Sequence, residues 1–70
     1  MYFEQASTIY DRMYIEYRKG TYTRGDFETD WPQLLELARQ NRDWELLQGV
    51  SLILPAEWWE DKFAQAIKEF

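Results

Sequence analysis

Residues 30–55 read DWPQLLELARQNRDWELLQGVSLILP, and the way they divide decides the fold. Trp31, Leu34, Leu35 and Ala38 recur at helical spacing with Leu37 at their margin, until Gln40, Asn41 and Arg42 break the pattern. Trp44, Leu47, Val50 and Leu54 resume it, widened by Leu46 and Ile53. Asp30 and Asp43 each precede a tryptophan, where a short acceptor side chain can cap a helix. Pro32 suits a first turn, and Gln33 the third position of a capping box. The stretch therefore predicts two short helices, over 30–40 and 43–53, joined by a polar elbow brief enough to set them antiparallel. Gly49 costs its helix about 1 kcal/mol relative to alanine, which implies that another helix passes close by. The run VSLIL fits a buried strand equally well by pattern alone. It is assigned to the helix because the only candidate partner strand, YTRGDF at 22–27, is a weak one.

Toward the N-terminus, Phe3, Ala6, Tyr10, Met13 and Tyr17 form a helical seam that predicts a helix over 2–19. Arg18 and Lys19 lie in its last turn, opposite the negative end of the dipole, and Gly20 is suited to stop it. Tyr2, Ile9 and Tyr14 fall off the seam. TYTRGDFET, residues 21–29, has no helical period and reads as a connection. Its Arg24-Gly25-Asp26 matches a tripeptide of some integrin-binding proteins, but three residues recur by chance, and the motif is read as a turn. Toward the C-terminus, Pro55 disfavours a helical Leu54 and opens a new helix. Trp59, Phe63, Ala66, Ile67 and Phe70 then share one side, so the last helix is expected over 56–69.

These elements predict an all-α fold, a compact bundle of four short helices in one domain over residues 1–70. The expected core is Phe3, Tyr10, Met13, Tyr17, Trp31, Leu34, Leu35, Ala38, Trp44, Leu47, Val50, Trp59, Phe63 and Ile67. A chain of 70 residues without cysteine or histidine has no disulfide, no thiolate metal site and no imidazole base, and its four Trp, five Tyr and four Phe must hold a thin core.

Charge narrows the function classes. The net charge is -5, and it is uneven. Residues 1–25 set Arg12, Arg18, Lys19 and Arg24 against Glu4, Asp11 and Glu16, leaving the acidic excess to residues 26–70. That excess opposes phosphate binding and favours a partner with a basic surface. Arg12, Arg18, Lys19 and Arg24, interleaved with Tyr10, Tyr14, Tyr17 and Tyr22, are too evenly balanced by acids to make a nucleic-acid footprint. No apolar run matches a membrane span or a signal peptide, so a cytoplasmic location is the expectation.

No nucleophile, phosphate loop or cofactor motif is present, so no enzyme, cofactor or metal is expected. Glu57, Glu60 and Asp61 share one helical face; as hard-cation ligands they lack companions, and acids in a first turn complement the helix dipole without further purpose. Trp58 points away from the seam through Trp59 and Phe63 and is expected either partly exposed or, with equal weight, wrapped into the one core or packed under the 20s loop; Tyr2 and Tyr14 raise the same question. Exposed aromatics ringed by acids make interface hot spots. The expected partner-binding residues are thus Trp58, Glu57, Glu60, Asp61, Tyr14 and Tyr2, in a non-catalytic protein-binding module that acts as a small acidic regulator or inhibitor. One alternative is a nucleic-acid mimic, with Glu28, Asp30, Glu36, Asp43, Glu45, Glu57, Glu60 and Asp61 imitating phosphates to block a nuclease or another DNA- or RNA-handling complex. The other is a subunit whose spare rings close a homodimer.

Overall fold

The computed structural model describes residues 2–70, and all regular structure among them is helical. Helix α1 spans Tyr2–Lys19 and α2 spans Arg24–Gln40. A 3-10 turn, Trp44–Leu47, leads into the short α3, Gln48–Ile53; α4, Ala56–Ala66, ends in a last 3-10 turn at Ile67–Glu69. The result is the all-α bundle of four helices that the apolar spacing predicts, within principal extents of 32 × 27 × 18 Å.

Helix α1 stops as expected. Gly20 adopts φ +80, its N–H donates to the Tyr17 carbonyl, and the Thr21 N–H reaches back to Glu16. This is the six-to-one closure that satisfies the last carbonyls of a helix, and glycine enters it without a Cβ penalty. The same closure ends α2, where Arg42 donates to Arg39 and Asp43 to Ala38, but here the left-handed position at φ 50 is held by Arg42.

The start of α2 differs from the sequence reading by six residues. The helix begins at Arg24, not Asp30, because Thr23 caps it: the Thr23 hydroxyl accepts from the Asp26 N–H, and the Asp26 carboxylate accepts from the Thr23 N–H. This reciprocal capping box satisfies two donors at once. It also holds the Asp26 carboxyl below its usual range, chiefly through the Thr23 backbone N–H. Arg24-Gly25-Asp26 is therefore the first helical turn, with its aspartate already engaged. Pro32 consequently lies mid-helix, where it cannot donate to the Glu28 carbonyl.

Extending α2 backwards brings Phe27 into line with Trp31, Leu34 and Ala38, and Phe27 is completely buried. Around these pack Ala6, Met13, Leu47, Val50, Leu54 and Ala66. Tyr10, Tyr17, Leu35, Trp44, Trp59 and Phe63 are half-buried against that centre, as core residues of a thin domain must be. Two expected core residues are not in it. Phe3 is 56 % exposed and Ile67 63 %, because each lies in a terminal turn, Phe3 in the first of α1 and Ile67 in the 3-10 turn after α4, that no other described element packs over. Gly49 meets its expectation: a Cβ there would stand 2.9 Å from Cζ of Tyr10, on α1. Residues 50–53 are helical, and Leu54 turns extended before Pro55.

The aromatic side chains pack as a run through the molecule. Trp58 lies edge-on to Tyr17 and tilted against Phe27; Phe27 meets Trp31; Trp31 stacks on Phe63 with ring centroids 5.6 Å apart. Phe63 also contacts Trp59 and Trp44. Such pairs add roughly 0.5–1.5 kcal/mol each beyond the area they bury, which suits a small domain without cysteine.

Candidate partner-binding surface

Asp30 is the only buried charged side chain among the described residues, and it is fully engaged. Arg12 Nη2 donates to its Oδ1 and the Tyr22 hydroxyl to its Oδ2, both at 2.6 Å. The bond it donates to Asp30 holds the Arg12 guanidinium above its ordinary pKa; burial, and then the same carboxylate, pushes the Tyr22 phenol up. This cluster ties α1, the 20–23 turn and α2 together. It is a structural tie, closed to a ligand, and it removes Asp30 from any acidic display surface.

The residues expected to bind a partner fall into separate places. Glu57, Glu60 and Asp61 all face water on α4. Among the described residues no group of three or more carboxylates is placed to hold a metal ion. Trp58 is half-buried: its ring fills the gap between Tyr17 and Phe27 where the unexpected first turns of α2 pass, so it is held from within. Tyr14 is half exposed, but Arg18 lies over its ring at 5.4 Å and donates to its hydroxyl. Tyr2 is half-buried beside the elbow and donates to Asp43 Oδ2 at 3.3 Å.

That last bond marks a different surface. Asp43 occupies the cap position before the 3-10 turn, yet its side chain makes no cap hydrogen bond; it turns to Tyr2 instead. Tyr2 in turn stacks on Phe3 with centroids 4.4 Å apart. Phe3, Asp43, Glu45, Leu46 and Gly49 line an open pocket of about 360 Å³. A larger groove, about 730 Å³, runs between α1 and α2 over Ile9, Pro32 and Leu37, lined also by Gln5, Gln33, Gln40 and Glu36. Sequence reading missed the first of these because Phe3 fits the helical seam so well. Seam position alone does not mark it, since Phe3 keeps the helical spacing yet stands 56 % exposed.

The acids divide into engaged and open ones. Lys62 pairs with Glu28, and Arg39 lies 3.7 Å from both Glu36 and Glu69. Among the described residues the carboxylates of Asp43, Glu45, Glu57, Glu60 and Asp61 make no ion pair with lysine or arginine, although Arg24 Nη2 donates to the Glu57 backbone carbonyl at 3.1 Å.

Comparison with protein-family models, curated proteins and solved structures finds no match to this chain. No helix among the described residues is long and apolar enough to cross a membrane.

Proposed function

We propose that the protein is a non-catalytic protein-binding module, a small acidic regulator or inhibitor whose partner presents a basic surface. One observation carries this reading: Phe3, Tyr14, Ile15, Leu52, Ile67 and Phe70 all stand about half or more exposed on a chain of 70 residues, with Leu52 at 87 %. Large side chains left in water amid unpaired carboxylates supply both parts of a docking surface, apolar area for affinity and charge for steering.

The nucleic-acid mimic draws less support. Of the acids it would display, Asp30 is buried and Glu28 and Glu36 are paired, which leaves few fixed negative charges to imitate a phosphate ladder.

Affinity capture from the source cell tests the proposal, with the wild-type chain and a Leu52→Asp, Phe3→Ser variant as parallel baits. The expected result is a stoichiometric partner retained by the wild type, weakened by salt and lost by the variant. Only substoichiometric species, held equally by both baits, would overturn the reading. Sedimentation across a concentration series identifies the homodimer, which would make the partner a second copy of the chain.

A further inference from the structure

We infer that the pocket between the start of α1 and the elbow before α3 receives an arginine side chain of the partner, an inference that rests on the protein-binding reading above. Guanidinium is a flat cation. It prefers an aromatic face on one side and carboxylate oxygens at its edge, with little water between.

The pocket offers these parts together. Phe3 is 56 % exposed, and its partner in stacking, Tyr2, holds the ring from one side. Asp43 and Glu45 add two acidic residues to its lining, which Leu46 and Gly49 complete. The Tyr2 hydroxyl bonds one Asp43 oxygen, Oδ2, and so orients the carboxylate while leaving Oδ1 for a second donor. No lysine or arginine among the described residues neutralises either acid.

The chain's own contacts sharpen the assignment. Tyr14 is also an exposed ring on α1, but Arg18 already covers it at 5.4 Å. It shows the arrangement satisfied internally. Phe3 presents the same opportunity with carboxylates added and, among the described residues, no lysine or arginine over its ring. Glu57, Glu60 and Asp61, by contrast, carry charge with no exposed ring among them, so they attract a basic partner without seating a particular side chain.

The test uses the full chain, labelled with 15N, titrated at low salt with three capped tetrapeptides: four arginines, four lysines, or four glutamates. The tetra-arginine peptide is expected to shift the amide signals of residues 3, 43, 45, 46 and 49. The lysine peptide should bind about threefold more weakly for want of a stacking plane, and the glutamate peptide should leave the signals in place. Phe3→Ala and, separately, Asp43→Asn with Glu45→Gln should each weaken the arginine peptide about threefold or more. All three side chains lie outside the buried core, and circular dichroism melts confirm that the variants stay folded.

Shifts spread evenly over the Glu57, Glu60 and Asp61 face, or arginine and lysine peptides binding alike, would overturn the site. The broader reading fails separately. A captured protein partner that Phe3→Ala and the neutralised pair bind as well as the wild type does would reject this pocket and leave the binding module standing. Localised arginine binding with no protein partner captured would do the reverse.

Discussion

The phenol ring of Tyr10 occupies the space that a side chain at Gly49 would need. Its Cζ and Cε1 atoms lie 2.9 and 3.0 Å from the position of a Cβ there, and the ring has little room to swing because its hydroxyl donates to the Leu46 carbonyl. Helix α3 therefore approaches α1 backbone to ring. Gly49→Ala should destabilise the protein by about 1 kcal/mol: overpacking costs about 1–3 kcal/mol, partly offset by about 1 kcal/mol of helix propensity. In a Tyr10→Ala background the sign should reverse, with alanine at 49 now stabilising. Urea denaturation of the two singles and the double reads the coupling directly, and additive effects would show that the ring is not the obstacle.

The two matching helix ends make a second comparison. Gly20 and Arg42 occupy equivalent left-handed positions, but only glycine is free of the Cβ clash, which costs other residues roughly 1–2 kcal/mol. Arg42→Gly should raise stability by about 1 kcal/mol, and Gly20→Ala should lower it by a similar amount. Thermal melts of the two variants should move in opposite directions.

Helices α1 and α4 were legible in the sequence because their apolar spacing and their stops, Gly20 and Pro55, agree. The beginning of α2 was not. Asp30-Trp31-Pro32 imitates a capped start so well that it hides the true one. The decisive signal was two-part: Thr23 and Asp26 at capping-box spacing, and Phe27, Trp31, Leu34 and Ala38 at intervals of four, three and four. Tyr22 and Asp30 escaped notice for another reason. Neither is apolar, and their burial depends on finding each other and Arg12 across a turn, a tertiary event that local pattern does not encode. Trp58 is half-buried, with Phe27 of the first turns of α2 packed on it, so both its partial exposure and its packing under the 20s segment have a place in the structure. The pocket around Phe3 was hidden for the opposite reason: seam position marks which face turns inward, not whether anything arrives to cover it.

Asp30 stands or falls with its two donors. Asp30→Ala leaves the Tyr22 hydroxyl unpartnered in the core and the Arg12 charge half exposed, and should cost about 2–4 kcal/mol, discounted for the water that still reaches Arg12. Tyr22→Phe, which leaves a buried carboxylate with one partner, should cost about 1–2 kcal/mol. The combined Arg12→Met, Tyr22→Phe, Asp30→Leu variant should recover much of the loss, because well-packed apolar replacements of a buried ion pair are often near neutral. Chemical denaturation of the series decides it, and a triple variant no better than Asp30→Ala would mean that the carboxylate also sets the register of α1 on α2.

Alkaline pH should dissolve this fold through its phenols. Burial raises Tyr10, and burial together with the Asp30 bond raises Tyr22, above the ordinary value of 10. With folded values above unfolded ones, the neutral phenols contribute their full stability below pH 10 and lose it as the pH climbs toward the folded values. In that interval the unfolded chain releases protons that the native state retains. Stability should therefore fall by about 1.4 kcal/mol per pH unit for each such phenol once the pH passes its unfolded value. Phenolate absorbance should show these two tyrosines ionising only with the loss of helical circular dichroism. Tyr10→Phe should lessen the slope by one proton, and an unchanged slope would mean that the Tyr10 phenol ionises in place, with the ring loosened from Leu46 in the native state.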